Sequence, residues 1–501
     1  GLENAPRRGL HARWMVIPPL EPHISCIYRP IPFPHRVFRC NPSGSGFSLC
    51  RSPRSLRIQV NFNKGLDMYF AVPNTSRTLS IASLALLAML PKTAHAQTCD
   101  PSMSPEVTYA VGNSPRSVKI ADVNNDGDLD LVVANFINDD TGVLLNNGDG
   151  TFATMTRYAA GDGPASVTLA DVDGDGDLDM GVCNALTTTT SVLLNNGDGT
   201  FGAAAHYTTG FSPRSVRFGD LDGDNDLDMV VAFDIGIGMS VLLNNGDGTF
   251  GTEVQYAAGG RSTSVVLGDV DGDNDLDVVI ANFESDDTSV LLNNGDGTFA
   301  AETRYTVGDQ PRRVRLGDVD GDNDLDMIVA NQASNSVSVL LNFGNGTFLA
   351  SSFFSTGIQP RSIQLGDLDD DGDLDAATAN GDGTASVLLN NGDGTYATET
   401  TYTTGGGSVG VDLGDLDGDG DLDMAISNEF RHDISVLLNE CVMVEPCPAD
   451  LTGDGNLNFL DVSAYLTAFG NMDPIADFEA DGSFNFLDVS AFLAAFGAGC
   501  P

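Results

Sequence analysis

From Asp122 to Asp130 the chain reads DVNNDGDLD, and the same acidic nonapeptide returns six more times. The copies are DVDGDGDLD from Asp171, DLDGDNDLD from Asp220, DVDGDNDLD from Asp269 and again from Asp318, DLDDDGDLD from Asp367 and DLDGDGDLD from Asp415. Their first aspartates stand 49 residues apart five times and then 48. A fixed period of this length marks a chain made of one supersecondary unit, repeated so that neighbours bury a common core. Oxygen-bearing side chains at alternate positions, with Gly or Asn between them to allow a sharp turn, suit a hard cation, and Ca2+ is the expected ion.

In the first copy Asp122, Asn124, Asp126 and Asp130 are expected to offer side-chain oxygens, and Asp128 its backbone carbonyl. The same five places fall to Asp171, Asp173, Asp175, Asp177 and Asp179, and then to Asp220, Asp222, Asp224, Asp226 and Asp228. They continue with Asp269, Asp271, Asp273, Asp275 and Asp277, and with Asp318, Asp320, Asp322, Asp324 and Asp326. Asp367, Asp369, Asp371, Asp373 and Asp375 precede the last set, Asp415, Asp417, Asp419, Asp421 and Asp423. The NNGDGTF turns further along each unit are also acidic, but Asn-Gly and Asp-Gly there are hairpin chemistry.

Around the loop each unit parses into four short strands. In the second these are SVTLA from Ser166, LDMGV after the acidic loop, SVLLN from Ser191 and a last strand ending at Tyr207. Short apolar runs divided by Asn, Gly and Asp at even spacing indicate an all-β repeat. Four strands per 49 residues predict a seven-bladed β-propeller. The glycine-rich nonapeptide of the calcium-binding β-roll is absent.

The repeat resembles the FG-GAP/VCBS propeller family, the type found in integrin α-chain heads, over residues 106–439 and in register with both the acidic loop and the SVLLN strand. That resemblance implies that the loop joins the first, innermost strand to the second. Val107-Thr108-Tyr109 is then left over as a fourth strand, and the seventh unit, which ends at Asn439, lacks one. The two are expected to pair and close the ring. Cys99 lies 23 residues before Asp122 and Cys441 lies 26 after Asp415, and Gly148 occupies both spacings within the first unit. A disulfide between them would staple that closure in an oxidising compartment. Cys183 reads as a small buried hydrophobe.

From Cys447 the pattern changes. Asp450, Thr452, Asp454, Asn456, Asn458 and Asp461 fit positions 1, 3, 5, 7, 9 and 12 of a twelve-residue Ca2+ loop, and Asp477, Glu479, Asp481, Ser483, Asn485 and Asp488 repeat it. Each loop runs into a short helix, with Phe459, Val462, Leu466 and Phe469, or Phe486, Val489, Leu493 and Phe496, expected on one buried face. The duplicated loop–helix halves over residues 442–501 resemble type I dockerins, in the variant carried by exported planctomycete proteins. That resemblance implies two more Ca2+ ions, a Cys447–Cys500 clamp and a cohesin-like or cell-surface partner. Phe459-Leu460 and Phe486-Leu487 replace the Ser/Thr pair that often reads cohesin, so a cap packed on the propeller is the alternative.

Charge bears on partners. The net charge is −46, yet residues 1–96 hold 12 of the 24 basic residues and only 3 of the 70 acidic ones. A working protein this acidic is a poor partner for nucleic acid or an anionic membrane. Residues 68–96 read as a secretory signal peptide, with Arg77, an apolar run from Leu79 to Leu90 too short to span a bilayer, and Ala94-His95-Ala96 for cleavage. Residues 1–67, rich in Pro and Arg, read as an upstream start-site artefact or a disordered leader. The expected location is extracellular.

After the signal peptide His206, His432 and Lys119 are the remaining groups able to act as neutral-range bases or amine nucleophiles, and no zinc cluster, nucleophile elbow or phosphate loop is present. The sequence therefore points to a recognition or adhesion module for an extracellular protein or polysaccharide, not an enzyme. A lyase or hydrolase on the same scaffold is the alternative, and a purely structural surface component a third reading. Arg116, Arg214, Arg312 and Arg361 recur just before the first strand and are candidates to ring the mouth of the axis. There they would meet an anionic ligand, or simply pair with neighbouring carboxylates.

Overall fold

The computed structural model describes residues 47–52, 55–62, 66–72, 99–236, 238–440, 442–443, 449, 451, 459–472, 474–478 and 483–498, with backbone alone for 47–100 and 442–443. The chain divides into two compact units, Gly1–Thr93 and Ala94–Pro501. In the first, strands Phe47–Ser52, Ser55–Phe62 and Leu66–Val72 form an antiparallel meander. These strands fall mostly in the segment whose composition reads as an artefact or a disordered leader. Leu56, Ile58, Val60 and Phe62 do alternate with polar residues, a pattern obscured by the surrounding Pro- and Arg-rich composition. The apolar run and cleavage site expected at 79–96 lie outside the described residues.

The second unit contains seven four-stranded antiparallel sheets whose order follows the chain, the blades of a propeller. Blade 1 runs Pro115–Ala121, Asp130–Asn135, Asp140–Leu144 and Thr156–Ala159. Its second and third strands are buried throughout, and its fourth is mostly exposed. Apolar side chains on both faces of the middle strands form clusters that cross from blade to blade. Val118, Leu131 and Val133 of blade 1, for example, pack with Ala425, Ile434 and Val436 of blade 7. Continuous apolar runs such as LVVAN are what a strand covered on both faces requires.

Blade 7 takes Ser408–Gly414, Asp423–Asn428 and Asp433–Leu437 from the end of the ring and Val107–Ala110 from its beginning. Val107 pairs with Val436 and Ala110 with Asp433, so the leftover strand closes the ring as expected. Beside it Cys99–Asp100 pairs with Val442–Met443. Cys441, Cys447 and Cys500 lie outside the described residues, as does the Cys99 side chain. Cys183 is fully buried and unpaired.

Two details of the repeat matter later. Every first strand carries a bulge: Pro115 pairs with Asn135 and Ser117 with Ala134, leaving Arg116 as the extra residue, and the other blades repeat this. A bulge re-aims the side chain it frees. At six junctions an aromatic of one fourth strand packs edge-on against the turn aromatic of the next blade, as Tyr109 does with Phe152 at 5.1 Å.

Near the C-terminus α1 (Phe459–Asn471) and α2 (Phe486–Ala498) form a small helical core in which Tyr465 stacks on Phe492 at 4.0 Å. Half of the expected apolar face is inward, and Tyr465 and Phe492 take the places expected of Leu466 and Leu493. Val462, Tyr465 and Phe469 pack inward with Val489, Phe492 and Phe496, whereas Phe459 and Phe486 are 78% exposed and Leu466 and Leu493 are also out. The inward stripe follows i, i+3, i+7, and Leu466 falls one residue past it.

Removing residues up to Ala110 should open the ring by baring the edge of Asp433–Leu437. The shortened chain is expected to melt well below the intact chain and to aggregate, in a calorimetric and light-scattering comparison.

Candidate metal centres and the axial face

Each acidic loop leaves the first strand, turns at its sixth residue and re-enters the sheet at its ninth. The sixth residue has φ between 71° and 101° in all seven loops, which explains why only Gly or Asn stands there. The first Asp organises the turn: Asp122 accepts from Gly127 N–H at 2.9 Å, and its counterparts do likewise.

The ninth Asp has a role that spacing alone did not reveal. Asp130 is fully buried and accepts two backbone hydrogen bonds, from Val123 N–H at 3.1 Å and from Asn146 N–H at 2.8 Å. All seven ninth aspartates bind the loop to the end of the third strand in this way. The Asn of that pair then reaches across the blade boundary. Asn146 donates to Leu416 O of blade 7 at 2.8 Å, Asn195 to Val123 O of blade 1, and so on around the ring to Asn439 and Leu368 O. By composition these asparagines read only as hairpin residues. Their period of 49 matches that of the loops, and that was the available signal.

Several loops gather enough oxygen for a metal ion. Carboxylate oxygens of Asp171, Asp173 and Asp179 lie within 4.8 Å of one another, as do those of Asp220, Asp222 and Asp228, of Asp269, Asp271 and Asp273, of Asp318, Asp320 and Asp326, and of Asp367, Asp369 and Asp371. One oxygen each of Asp222, Asp271 and Asp369 is buried without a hydrogen-bond partner. Buried acceptors left open among like charges are what a bound cation satisfies, so these clusters are compatible with Ca2+. The seventh position turns away: Asp128 lies so close to Gly148 that a Cβ there would sit 2.8 Å from its carboxylate. In the helical module Asp461 and Asp488 are fully buried, and Asp488 accepts from Asn485 N–H at 2.8 Å. Asp450, Thr452, Asp454, Asn456, Asn458, Glu479 and Asp481 lie outside the described residues.

Burial, reinforced by neighbouring carboxylates, pushes the ninth aspartates up to about 6, and Asp375 and Asp423 up to about 7, against offsetting backbone hydrogen bonds. Between roughly pH 4 and 7 the cation-free fold therefore holds more protons than the unfolded chain.

The opposite end of the ring carries the loops between second and third strands. Ile137, Leu186, Ile235 and Phe430 are exposed there, with Phe211 and Ile358 at the entries to first strands. Arg116, Arg214, Arg312 and Arg361 lie within the first strand, at or beside its bulge, and converge on one cavity at the axis. Arg116 and Arg361 share Glu429, at 3.1 and 3.3 Å, and Arg214 meets Asp234 at 2.6 Å. Pairing with blade carboxylates thus accounts for three of the four, but Arg312 makes no ion pair among the described residues. His206 touches Ser191 in an outer strand, and His432 accepts from Ser114 N–H at the blade 7–blade 1 junction.

A family model described as an FG-GAP-like repeat matches residues 122–182, 183–231, 238–280, 269–329, 318–378 and 367–426. No curated protein matches the chain. Similar solved structures include BBS1N in complex with ARL6DN, at 12% identity and TM-score 0.48, covering 67% of this chain and 98% of that one. An Agrocybe aegerita lectin that recognises non-reducing terminal N-acetylglucosamine is 20% identical with TM-score 0.44, over 77% and 98%. A Lactobacillus plantarum protein is 15% identical with TM-score 0.46, over 60% and 88%.

With chelator present, the propeller should melt higher at pH 5 than at pH 7.5, because its stability falls as the retained protons are lost. Saturating Ca2+ should abolish or reverse that order in differential scanning calorimetry, and a chelated melt indifferent to pH would contradict the burial of these carboxylates.

Proposed function

This chain belongs to the FG-GAP-like repeat family, and from that premise we propose that it is an exported recognition or adhesion module whose propeller is set by Ca2+ and whose C-terminal helices serve as a dockerin-like anchor. The observation that carries the proposal is the division between the two ends of the ring. One end repeats the same acidic loop in every blade, whereas the other presents connections that differ from blade to blade, tipped by exposed Ile137, Leu186, Phe211, Ile235, Ile358 and Phe430. Exposed apolar tips on variable loops over a rigid frame are the usual make-up of a binding face. The ligand class is an extracellular protein or polysaccharide, bound without turnover.

Acidic side chains that would repel one another support the cation reading, with one Ca2+ in each propeller loop and one in each loop of the helical module. Among the described residues no helix is long and apolar enough to cross a membrane. The two helices with buried Asp461 and Asp488 at their first turns support the dockerin-like reading, with a cohesin-like or cell-surface partner.

Two measurements test this reading. Native mass spectrometry in Ca2+ should count one ion per acidic loop, and chelation at neutral pH should lower the melting temperature sharply; an unchanged melt with few ions bound would reduce the loops to turns. Leu186→Ser combined with Phe430→Ser should abolish binding in a polysaccharide and glycoprotein screen while leaving the melt within a few degrees of the parent. Product formation from any bound polymer would make the protein an enzyme instead.

A further inference from the structure

Eight of the twelve basic residues after position 96 lie in first strands, at three levels along the axis: Arg116, Arg214, Arg312 and Arg361 six residues before an acidic loop, Arg313 five before, and Lys119, Arg217 and Arg315 three before. The bulge lets both Arg312 and Arg313 line the cavity of about 50 Å3 at the mouth, together with the arginines of blades 1, 3 and 6. Lys119, Arg217 and Arg315 line a second axial cavity of about 490 Å3. The three levels span about 10 Å of strand, at about 3.3 Å per residue.

Acids match only half of these cations: Arg116 and Arg361 share Glu429, Arg214 pairs with Asp234, and the other four arginines are left over. Of all the residues lining the two cavities, only Asp412 is acidic, and Lys119 already pairs with it at 2.8 Å. Arg217, Arg312, Arg313 and Arg315 make no ion pair with a carboxylate among the described residues. Arg217 and Arg315 donate to the carbonyls of Val216 and Val314, at 2.8 and 3.1 Å, and Arg315 also to Gln364 at 2.5 Å. Arg313 Nε is buried with no partner at all. Burial and mutual repulsion hold Arg312 and Arg313 down to about 10. A chain of net charge −46 has ample carboxylate to neutralise its axis, yet the axis stays cationic. Enclosed guanidinium groups without counter-charge are costly, and their planar donor forks fit oxygens of a multivalent anion.

We propose that the axial channel is an oxyanion-binding site, in which Arg313 with Arg217 and Arg315 holds a sulfate, phosphate or sugar-borne acidic group that enters past Arg312. The larger cavity lies in the range of small-ligand sites, so the bearer of that group can be the free ion or an acidic monosaccharide. The site owes nothing to the Ca2+ loops or to the apolar loop tips, and it stands if the recognition reading fails.

The test uses the full chain in saturating Ca2+ at fixed ionic strength, replacing chloride stepwise by sulfate and then by inorganic phosphate, with isothermal calorimetry and melting as readouts. One saturable site and a rise in melting temperature are expected. Arg313→Gln and Arg315→Gln should each weaken the affinity by tenfold or more, whereas exposed Arg157→Gln should leave it unchanged. Arg312→Gln, at the mouth, provides a milder variant should the deeper ones fold poorly. Galacturonate and glucose 6-sulfate form a second arm: tighter binding than the inorganic ions assigns the group to a sugar, and weaker binding assigns the site to the free ion. No saturable heat with any of these, or an equal sulfate response in parent and channel variants as expected from salt exclusion alone, would overturn the proposal.

Discussion

A single hydrogen-bonded relay holds this ring together. A buried Asp at the end of each acidic loop binds one backbone N–H of its own loop and one of the Asn closing the third strand, and that Asn hands the connection to a carbonyl in the preceding blade. Each member is buried, so losing one leaves the others without water to replace it, at a cost of about 1–3 kcal/mol per orphaned group. The relay also places the acidic loops and the blade interfaces in one network. Loop geometry, blade spacing and the closure of the ring are consequently not separable properties.

Much of this was legible before any coordinates. The period exposed the number of blades, the surplus strand at Val107 and the deficit after Asn439 predicted how the ring closes, and the Gly/Asn alternation at the sixth loop position anticipated its positive φ. What spacing could not reveal was function divided within one residue type. Asp130 and Asp126 look alike in the sequence, but Asp130 is buried between two backbone amides at the base of the loop, whereas Asp126 is held by Asp128 N–H and the Asn124 side chain on its exposed tip. The helix face is half legible for a related reason: Val462, Phe469, Val489 and Phe496 pack inward as their spacing predicts, but Phe459 and Phe486, equally apolar, stand exposed at the first turn. The recurrence of Arg116, Arg214, Arg312 and Arg361 anticipates their meeting at the mouth of the axis, but the bulge that brings Arg313 into the same cavity is announced by no composition or period.

The two ends of the ring are built on opposite principles. At the acidic end seven near-identical loops repeat one solution, as residues fixed by geometry must. At the other end the loops vary, and cations gather along the axis between them. An acidic exterior wrapped around a basic bore focuses the field of the bore, because the low-dielectric blades prevent solvent from screening it sideways.

Closure by the strand Val107–Ala110 sets an order of events during synthesis. Glu106 and its partner Ser435 are 329 residues apart, so the earliest strand of the ring waits for the ring's last before it has a partner. Blades 1 to 6 can condense one after another as they emerge, each on a local hairpin and the blade before it. The final annealing is a long-range step, slow in proportion to the chain entropy lost on bringing such distant segments together. Until it occurs the nascent ring has two open ends of opposite kind, an unpaired strand at the tail and a waiting partner at the head. A neighbouring copy could satisfy both, so prompt internal closure is what keeps this chain from exchanging strands with its siblings.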